Sequence, residues 1–581
     1  MTSYFAPEAN QARPYGHAVF LGLTFGAPVA ALIAILAFFL IAPPIGWGID
    51  EPVRADLIWF ASALKQHLSE PIAGAPLSRI EDGLDFVFQD LPNWADVTNE
   101  VTWRLHVVYG AAVLGFAAVA SIVLVDTPLF DNRIHHSGLR LLRGLAAVKS
   151  ARAFLVDEIK KYGAGISLAP DLALSKMREL RNILILGAPN SGKTRIIVFL
   201  LEQILGKIAL KSQTTRLLLH DTTGEFYRGL PLPEEKFAAL HPHRPGGWAW
   251  VIGRDLRSTQ DGAELAARFV GRPARGENRM FDEGAIVGLT GCIELARDAH
   301  GQNWGVGELY EAVCTSGIEL KQQMERVYPA GAALIEIDPE TGGVNRTSAS
   351  FILSFRAYVL GILEPLAKAW RDVPAERGFS FVDWLNAADP KLPAVAVLSR
   401  SARHKELSAK WIGAAVDIVV SHVADEEFNR ERRLETYLVL DELMQLGRLD
   451  RLQEILDVGR NHLVSVIASY QDILQSRTVY GENEGRSLTA RFATKIIGQM
   501  PADEECEYVS DKIVRRRKVI DLALAKKYGA DTNVKAVQIA PVEYIAHDLG
   551  PTNSGNVKAI VVGLGNVAEL SWPETVWPAR R

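Results

Sequence analysis

Cysteine is scarce: Cys292, Cys314 and Cys506 are the only three in 581 residues. Three scattered thiols cannot build a disulfide framework, and no Cys/His cluster has zinc-ligand spacing, so the bulk of the chain is expected in a reducing compartment. A large charge of either sign is also missing, with 63 Lys and Arg set against 68 Asp and Glu. The 47 Gly and 28 Pro follow no repeat, and 48% of the chain is hydrophobic, which excludes a collagen-like chain and wholesale disorder. Long apolar runs are too few for a multi-span channel. The length that remains accommodates three or more domains at roughly 100–200 residues each.

Two runs do lack charge altogether. Ala18 to Ala42 is 25 residues long and Val107 to Val125 is 19; both reach across a hydrocarbon core of about 30 Å at a rise of ~1.5 Å per residue. They are expected to be membrane spans, with buried core helices as the alternative. Arg133, Arg140, Arg143, Lys149, Arg152, Lys160 and Lys161 follow the second run, whereas residues 43–104 hold only Arg54, Lys65, Arg79 and Arg104. The positive-inside tendency then puts both termini in the cytoplasm and 43–104 outside. That loop carries ten acidic residues, so the acidic excess of the chain belongs to it and the remainder is nearly neutral. Gly22 and Gly26 form a GxxxG spacing that either seats a neighbouring helix or arises by chance.

Asn182 to Leu186 (NILIL) reads as a buried parallel strand. It runs into Gly187-Ala188-Pro189-Asn190-Ser191-Gly192-Lys193-Thr194 and then into a helical pattern. This is GxxxxGK[ST] in strand-loop-helix context, where backbone N–H groups and a helix N-terminus cradle phosphate. Lys193 is expected at the β- and γ-phosphates of ATP and the Thr194 hydroxyl at Mg²⁺. A second apolar strand, Thr436 to Leu440, ends in Asp441 and Glu442. Asp441 fits as the Mg²⁺ partner and Glu442 as the carboxylate that polarises a water. The next segment, Leu443 to His462, reads as one helix with Leu446, Leu449, Leu452 and Leu456 on its apolar face. A further strand, LVSVIAS, ends at Tyr470-Gln471. Gln471 is either an ordinary strand-end residue or a sensor of the γ-phosphate.

Two N-terminal apolar runs, GAPNSGKT, Asp221-Thr-Thr-Gly-Glu225 after LLLH, and LVLDELMQLGRLDRLQEILDVGRNHLVSVIASYQ together resemble the coupling proteins of type IV secretion and conjugation, of the TraD/TrwB type. The resemblance implies an α/β fold: a RecA-like P-loop NTPase with a mostly parallel sheet, an inserted all-α domain and two N-terminal transmembrane helices. It implies a homo-hexameric ring at the bacterial inner membrane that uses ATP and Mg²⁺. Its implied cargo is single-stranded DNA with its relaxase, or protein effectors, passed to the inner-membrane components of a secretion channel. By position, Lys193, Asp441, Glu442, Arg460 and Gln471 are the catalytic set. Arg460 matches the finger that reaches a neighbouring subunit's nucleotide, where a guanidinium supplied in trans stabilises phosphoryl charge; the alternative is a solvated helix-end arginine.

The implied division is a tail (1–17), a span (18–42), a periplasmic domain (43–104), a second span (105–126), the first part of the nucleotide-binding domain (127–255), the helical insertion (256–375) and the rest of the motor (376–581). Residues from about Arg257 to Trp370 lack strand alternation and read as helices. Arg268, Arg272, Arg275 and Arg279 near their start, and Arg515 to Lys518 later, are either solvated surface or contacts to DNA phosphates. Two rival functions use the same motifs: a docking receptor regulated by nucleotide without pumping, and a double-stranded DNA pump of the chromosome-segregation type. The second is expected to carry a DNA-reading module after the motor, and none is evident.

Overall fold

The computed structural model describes 133–581, apart from 211–213, 243–245, 272–278, 388–390, 426–427, 429–433, 522–533, 576 and 579–581; before 133 it describes 22–30, 109–120 and a few single positions. The expected tail, the periplasmic domain and much of both spans lie outside the described residues. The chain divides into two units, one comprising Met1–Ser137 with Lys518–Lys535 and the other the remainder.

In the smaller unit, Arg133–Ser137 pairs antiparallel with Lys518–Asp521. Gly26 and Gly115 meet where two helical segments cross: a Cβ on Gly26 would sit 2.9 Å from the Gly115 carbonyl carbon. Glycine at both positions permits this backbone approach. Arg516–Lys518 begin a strand, and Arg515, Arg516 and Lys518 are exposed, the solvated surface that is one expectation for this basic run. Arg516 is committed to Asp511 at 2.6 Å.

The larger unit is built on a sheet whose main path comprises β1 (Leu141–Leu142), β2 (Ile183–Leu186), β3 (Thr215–Asp221), β4 (Phe237–Leu240), β5 (Val395–Ser399), β6 (Glu435–Leu440), β7 (Val464–Tyr470), β8 (Thr494–Ile497), β9 (Val557–Val562) and β10 (Val567–Trp572), with the two-residue Gly550–Pro551 pairing antiparallel on β9. Their spatial order is β1-β10-β9-β8-β2-β7-β6-β3-β5-β4. From β8 to β4 every pairing is parallel, while β9 runs antiparallel to both β8 and β10. The side chains of β2 alternate between the two faces: Ile183 and Ile185 join one core, Leu184 and Leu186 the other. A strand buried on both faces can be apolar at every position, which is why NILIL shows no alternation.

Helices cover both faces. Three of them are α1 (Gly144–Tyr162), α2 (Lys193–Leu210) and, later in the chain, α8 (Lys405–Val423). Between β4 and β5 lie α3 (Thr259–Val270), α4 (Arg279–His300), α5 (Val306–Cys314), α6 (Gly317–Val327) and α7 (Arg346–Trp370). Ser258 and Asp261 cap α3 reciprocally, which fixes where the helix starts. Among the described residues α7 alone is long and apolar enough to cross a membrane. It instead buries Ile352, Phe355, Val359, Ile362, Leu363 and Leu366 and packs on α4 and α5.

Both crossings between this helical segment and the sheet meet at one carboxylate. Ala249–Trp250 pairs with Gly378–Phe379. Asp255 accepts hydrogen bonds from Trp250 Nε1 at 2.6 Å, Ser380 Oγ at 2.6 Å, Val382 N at 2.9 Å and Phe381 N at 3.2 Å. Burial pushes the Asp255 carboxyl up to about 6, although these donors oppose the shift. A buried carboxylate with four donors ties entry and exit strands together far more tightly than an exposed ion pair would.

Candidate nucleotide site

The phosphate-binding loop spans 187–192, between β2 and the first turn of α2 at Lys193. Asn190 and Gly192 have φ of 64° and 91°, the left-handed region that lets successive N–H groups point inward. A Cβ on Gly187 would lie 2.5 Å from Ser191 Oγ, so any side chain there would push Ser191 out of the loop. Ala188 N is anchored by Gln499 O at 2.9 Å. Lys193 Nζ folds back over the loop and donates to Gly187 O at 2.5 Å and Ala188 O at 3.1 Å. Burial lowers its affinity for a proton, while Glu442 and Asp441 act the other way. Thr194 is half-buried in the first turn of α2, and Ala188 and Pro189 complete the rim.

Across the cleft, Asp441 and Glu442 leave the carboxyl end of β6. Ser469 on β7 organises both: its Oγ donates to Asp441 Oδ1 at 3.0 Å and accepts from Glu442 N at 3.1 Å. The Asp441 carbonyl takes His220 Nδ1 at 2.7 Å and Thr222 Oγ1 at 2.9 Å from the end of β3. Glu442 has φ 51° and ψ 58°, a conformation costing roughly 1–3 kcal/mol at a non-glycine position. Burial and the neighbouring Asp441 push its carboxyl up to about 7, opposed by Lys193 and by Gln471, which approaches it through side chain and backbone. Burial raises Asp441 as well, and the buried His220 imidazole is depressed to about 4.

Lys193, Thr194, Asp441, Glu442 and Gln471 therefore gather at the carboxyl ends of β2, β6 and β7, where parallel sheets bind ligands. Arg460 does not join them. It is exposed and lies in the turn before β7, at the opposite end of the strand from Gln471; seven residues of strand span roughly 23 Å.

One further residue at this site lacked a distinctive motif. Arg400, after β5, donates to Gln445 Oε1, and its amide bonds Asp221 O at 3.0 Å. Burial lowers its pKa, opposed by Glu442. The one available signal was its place after an apolar strand. Asp221 is inward-turned: its carboxylate accepts from Gly224 N at 2.8 Å and Tyr227 N at 2.7 Å and so shapes the turn after β3. Of the arginine cluster, Arg268 is corrected from a candidate DNA contact. Its guanidinium points inward, to Leu446 O at 2.6 Å, Arg448 O and Asp417. Arg279 pairs with Glu283 at 2.7 Å, and Arg272 and Arg275 lie outside the described residues.

The donor set suits a nucleotide triphosphate with a divalent cation. Ser191 Oγ and Glu442 Oε1 are buried without a partner, and buried polar atoms of that kind call for one. They stand on the two sides of the cleft, with an ammonium and two carboxylates beside them.

A family model for the DNA-binding domain of type IV secretion-system coupling proteins matches residues 167–553. Among curated proteins none matches in sequence. Solved structures do match in fold. Bacterial conjugative coupling protein TrwBdeltaN70, in an unbound form, gives a TM-score of 0.59 at 19% identity over 77% of this chain and 95% of that one. Plasmid coupling protein TrwB in complex with ADP and Mg²⁺ gives 0.59 at 18%, covering 77% and 96%. TrwB with the non-hydrolysable ATP analogue ADPNP gives 0.58 at 19%, with the same coverage.

Proposed function

The chain belongs to the type IV secretion-system coupling proteins, and from that membership we propose that it is an ATP-hydrolysing coupling protein of the bacterial inner membrane. It recruits single-stranded DNA bound to its relaxase, or protein effectors, and drives them into a type IV channel. Two spans anchor it in the lipid with both termini cytoplasmic, and it works as a homo-hexameric ring. The observation that carries hydrolysis is the meeting of Lys193, Asp441, Glu442 and Gln471 around one cleft; the binding of ADP and Mg²⁺ by the TrwB of matching fold supports the choice of ligand.

In this reading the amides of Gly187 to Lys193 wrap the β-phosphate, and the Lys193 ammonium leaves its loop carbonyls for the β- and γ-phosphate oxygens. Thr194 and Asp441 would hold Mg²⁺, which would neutralise phosphate charge. Glu442 accepts a proton from the attacking water, a task suited by a carboxyl tuned near neutral pH. Gln471, in contact with Glu442, orients that carboxylate and the water. Arg460, far from its own chain's cleft, serves the cleft of the next subunit and ties hydrolysis to ring assembly. With a nearly neutral chain outside the 43–104 loop, grip on DNA comes from local basic surface in the ring and not from bulk charge.

The test is ATP hydrolysis by the detergent-solubilised full chain, with and without single-stranded DNA, against Lys193→Ala. Hydrolysis that DNA stimulates and Lys193→Ala abolishes is expected. A folded wild type that binds ATP without turning it over would leave a nucleotide-regulated docking receptor in place of a motor.

A further inference from the structure

The five-residue stretch after Glu442 is held from two directions. Leu443–Leu446 makes a single 3-10 turn that ends at Gly447 with φ 69°, so the carbonyls at its end have no intrahelical partner. Arg268 of α3 supplies one: Nη2 donates to Leu446 O at 2.6 Å and Nη1 to Arg448 O. The guanidinium reaches them by passing over Gly413 of α8, where a Cβ would collide with Nη2 and sit 2.9 Å from Leu446 O. Asp417, one turn further along α8, balances its charge at 3.4 Å. From the motor side Arg400 grips the same turn through Gln445 Oε1. Arg400 Nε and Glu442 Oε1 are both buried and unpartnered, so the inner end of this arrangement is left open toward the reacting groups.

We propose that Arg268 of the helical insertion is a positioning residue for Glu442, and that the turn Leu443–Leu446 carries the state of the nucleotide site to α3. The proposal rests on the reading of the site as one that binds and hydrolyses ATP. Glu442 occupies a left-handed backbone conformation that must be held by its surroundings. On its C-terminal side it runs straight into the turn clamped by Arg268 and Arg400. Arrival or loss of phosphate charge changes the balance at Glu442 and Arg400, and a displacement of Gln445 is passed through Leu446 O to the guanidinium on α3. A forked donor matters here, because one planar group serves two carbonyls and a lysine ammonium cannot reproduce that geometry.

The test uses the full chain in detergent, with Arg268→Lys and Gly413→Ala beside wild type. In both variants KM for ATP should stay within about threefold of wild type while kcat falls by about tenfold or more, since the change is in positioning and not in nucleotide binding. Hydrogen exchange of α3 amides should change in wild type when ADPNP is added, and the change should vanish in Arg268→Lys. A folded Arg268→Lys protein with wild-type kcat overturns the proposal, and so does wild-type protein that binds ADPNP with no change of exchange in α3. If wild type binds nucleotide but fails to hydrolyse it, the motor reading falls while the exchange measurement still decides the coupling. Exchange in wild type also decides it should both variants fail to fold.

Discussion

Ser469 stands 3.0 Å from the Asp441 carboxylate through its hydroxyl and also receives the Glu442 amide, so a single side chain on β7 sets the direction of two acidic residues on β6. Neutral hydroxyls can be removed from proteins cheaply at a surface, but this one is buried. Its loss leaves a carboxylate oxygen and an N–H without a partner.

Ser469→Ala should therefore lower kcat for ATP on the order of tenfold to a hundredfold, as expected when one hydrogen bond to a charged group, worth about 1.5–3 kcal/mol, is lost from the Asp441 carboxylate. ATP binding should weaken less, because the phosphate-binding loop is untouched. Steady-state kinetics with a nucleotide-affinity measurement checks the split; equal losses in both would assign Ser469 to folding of the sheet alone.

Glu442 sets a pH dependence. Its carboxyl sits near 7 against an ordinary 4.5, chiefly because burial disfavours the anion. In its proposed role as proton acceptor it works only when ionised, so kcat/KM, which reports the free enzyme, should fall with unit slope as pH drops through about 7 and level off above it. The effect on stability has the opposite sense. A carboxyl whose folded pKa is raised stabilises the fold below the unfolded value and loses that contribution as pH rises through the folded one. Glu442→Gln should thus abolish hydrolysis yet raise stability at pH 8 by about 1–3 kcal/mol. Thermal melts at pH 5 and pH 8 check it: the gain should appear at pH 8 and shrink at pH 5.

The far end of the sheet depends on charge in another way. Glu179, 1% exposed, accepts from Ile166 N at 2.6 Å and Tyr437 OH at 2.5 Å, and faces Lys176 at 2.7 Å and Lys207 at 3.4 Å. Glu179→Ala leaves two half-buried ammonium groups facing each other beside Glu435 and the Tyr437 hydroxyl. Breaking one partner out of a buried set costs about 3–5 kcal/mol. Denaturant unfolding should show that loss, with Glu179→Gln retaining part of the stability through its hydrogen bonds.

Local sequence carried the site where chemistry and spacing coincide, and lost it where tertiary geometry decides. The loop from Gly187 to Thr194 is legible because a tight anion cradle demands glycine at set intervals, and the strand before it because burial on both faces demands unbroken apolar residues. Leu443 to His462 reads as one helix by its leucines, yet Gly447 at φ 69° breaks it. Leu446, Leu449, Leu452 and Leu456 are all buried without sharing one helix, because packing rewards burial whatever the backbone between them does. Arg268 reads as surface because arginine usually is; the three acceptors that turn it inward lie 149 to 180 residues away in sequence. Arg400 belongs to no motif and Ser469 reads only as part of an apolar strand; the parallel register is what brings their strand ends beside Asp441.

Arg460 offers the most discriminating experiment on the ring. Since it sits at the opposite end of β7 from Gln471, it cannot complete its own chain's cleft, and each active cleft in the proposed hexamer pairs the loop of one subunit with the arginine of the next. Lys193→Ala and Arg460→Ala should each be inactive when assembled alone. Mixed before assembly, they should regain activity, because some interfaces then join an intact Lys193 from one variant to an intact Arg460 from the other. In a head-to-tail ring filled at random from equal amounts, about a quarter of the interfaces qualify. Recovery near that fraction, read as ATP turnover against the ratio of the two variants, requires the finger to act in trans. Full activity of Arg460→Ala alone, or no recovery from properly mixed rings, would return Arg460 to an ordinary solvated arginine and leave hydrolysis to the groups within one chain.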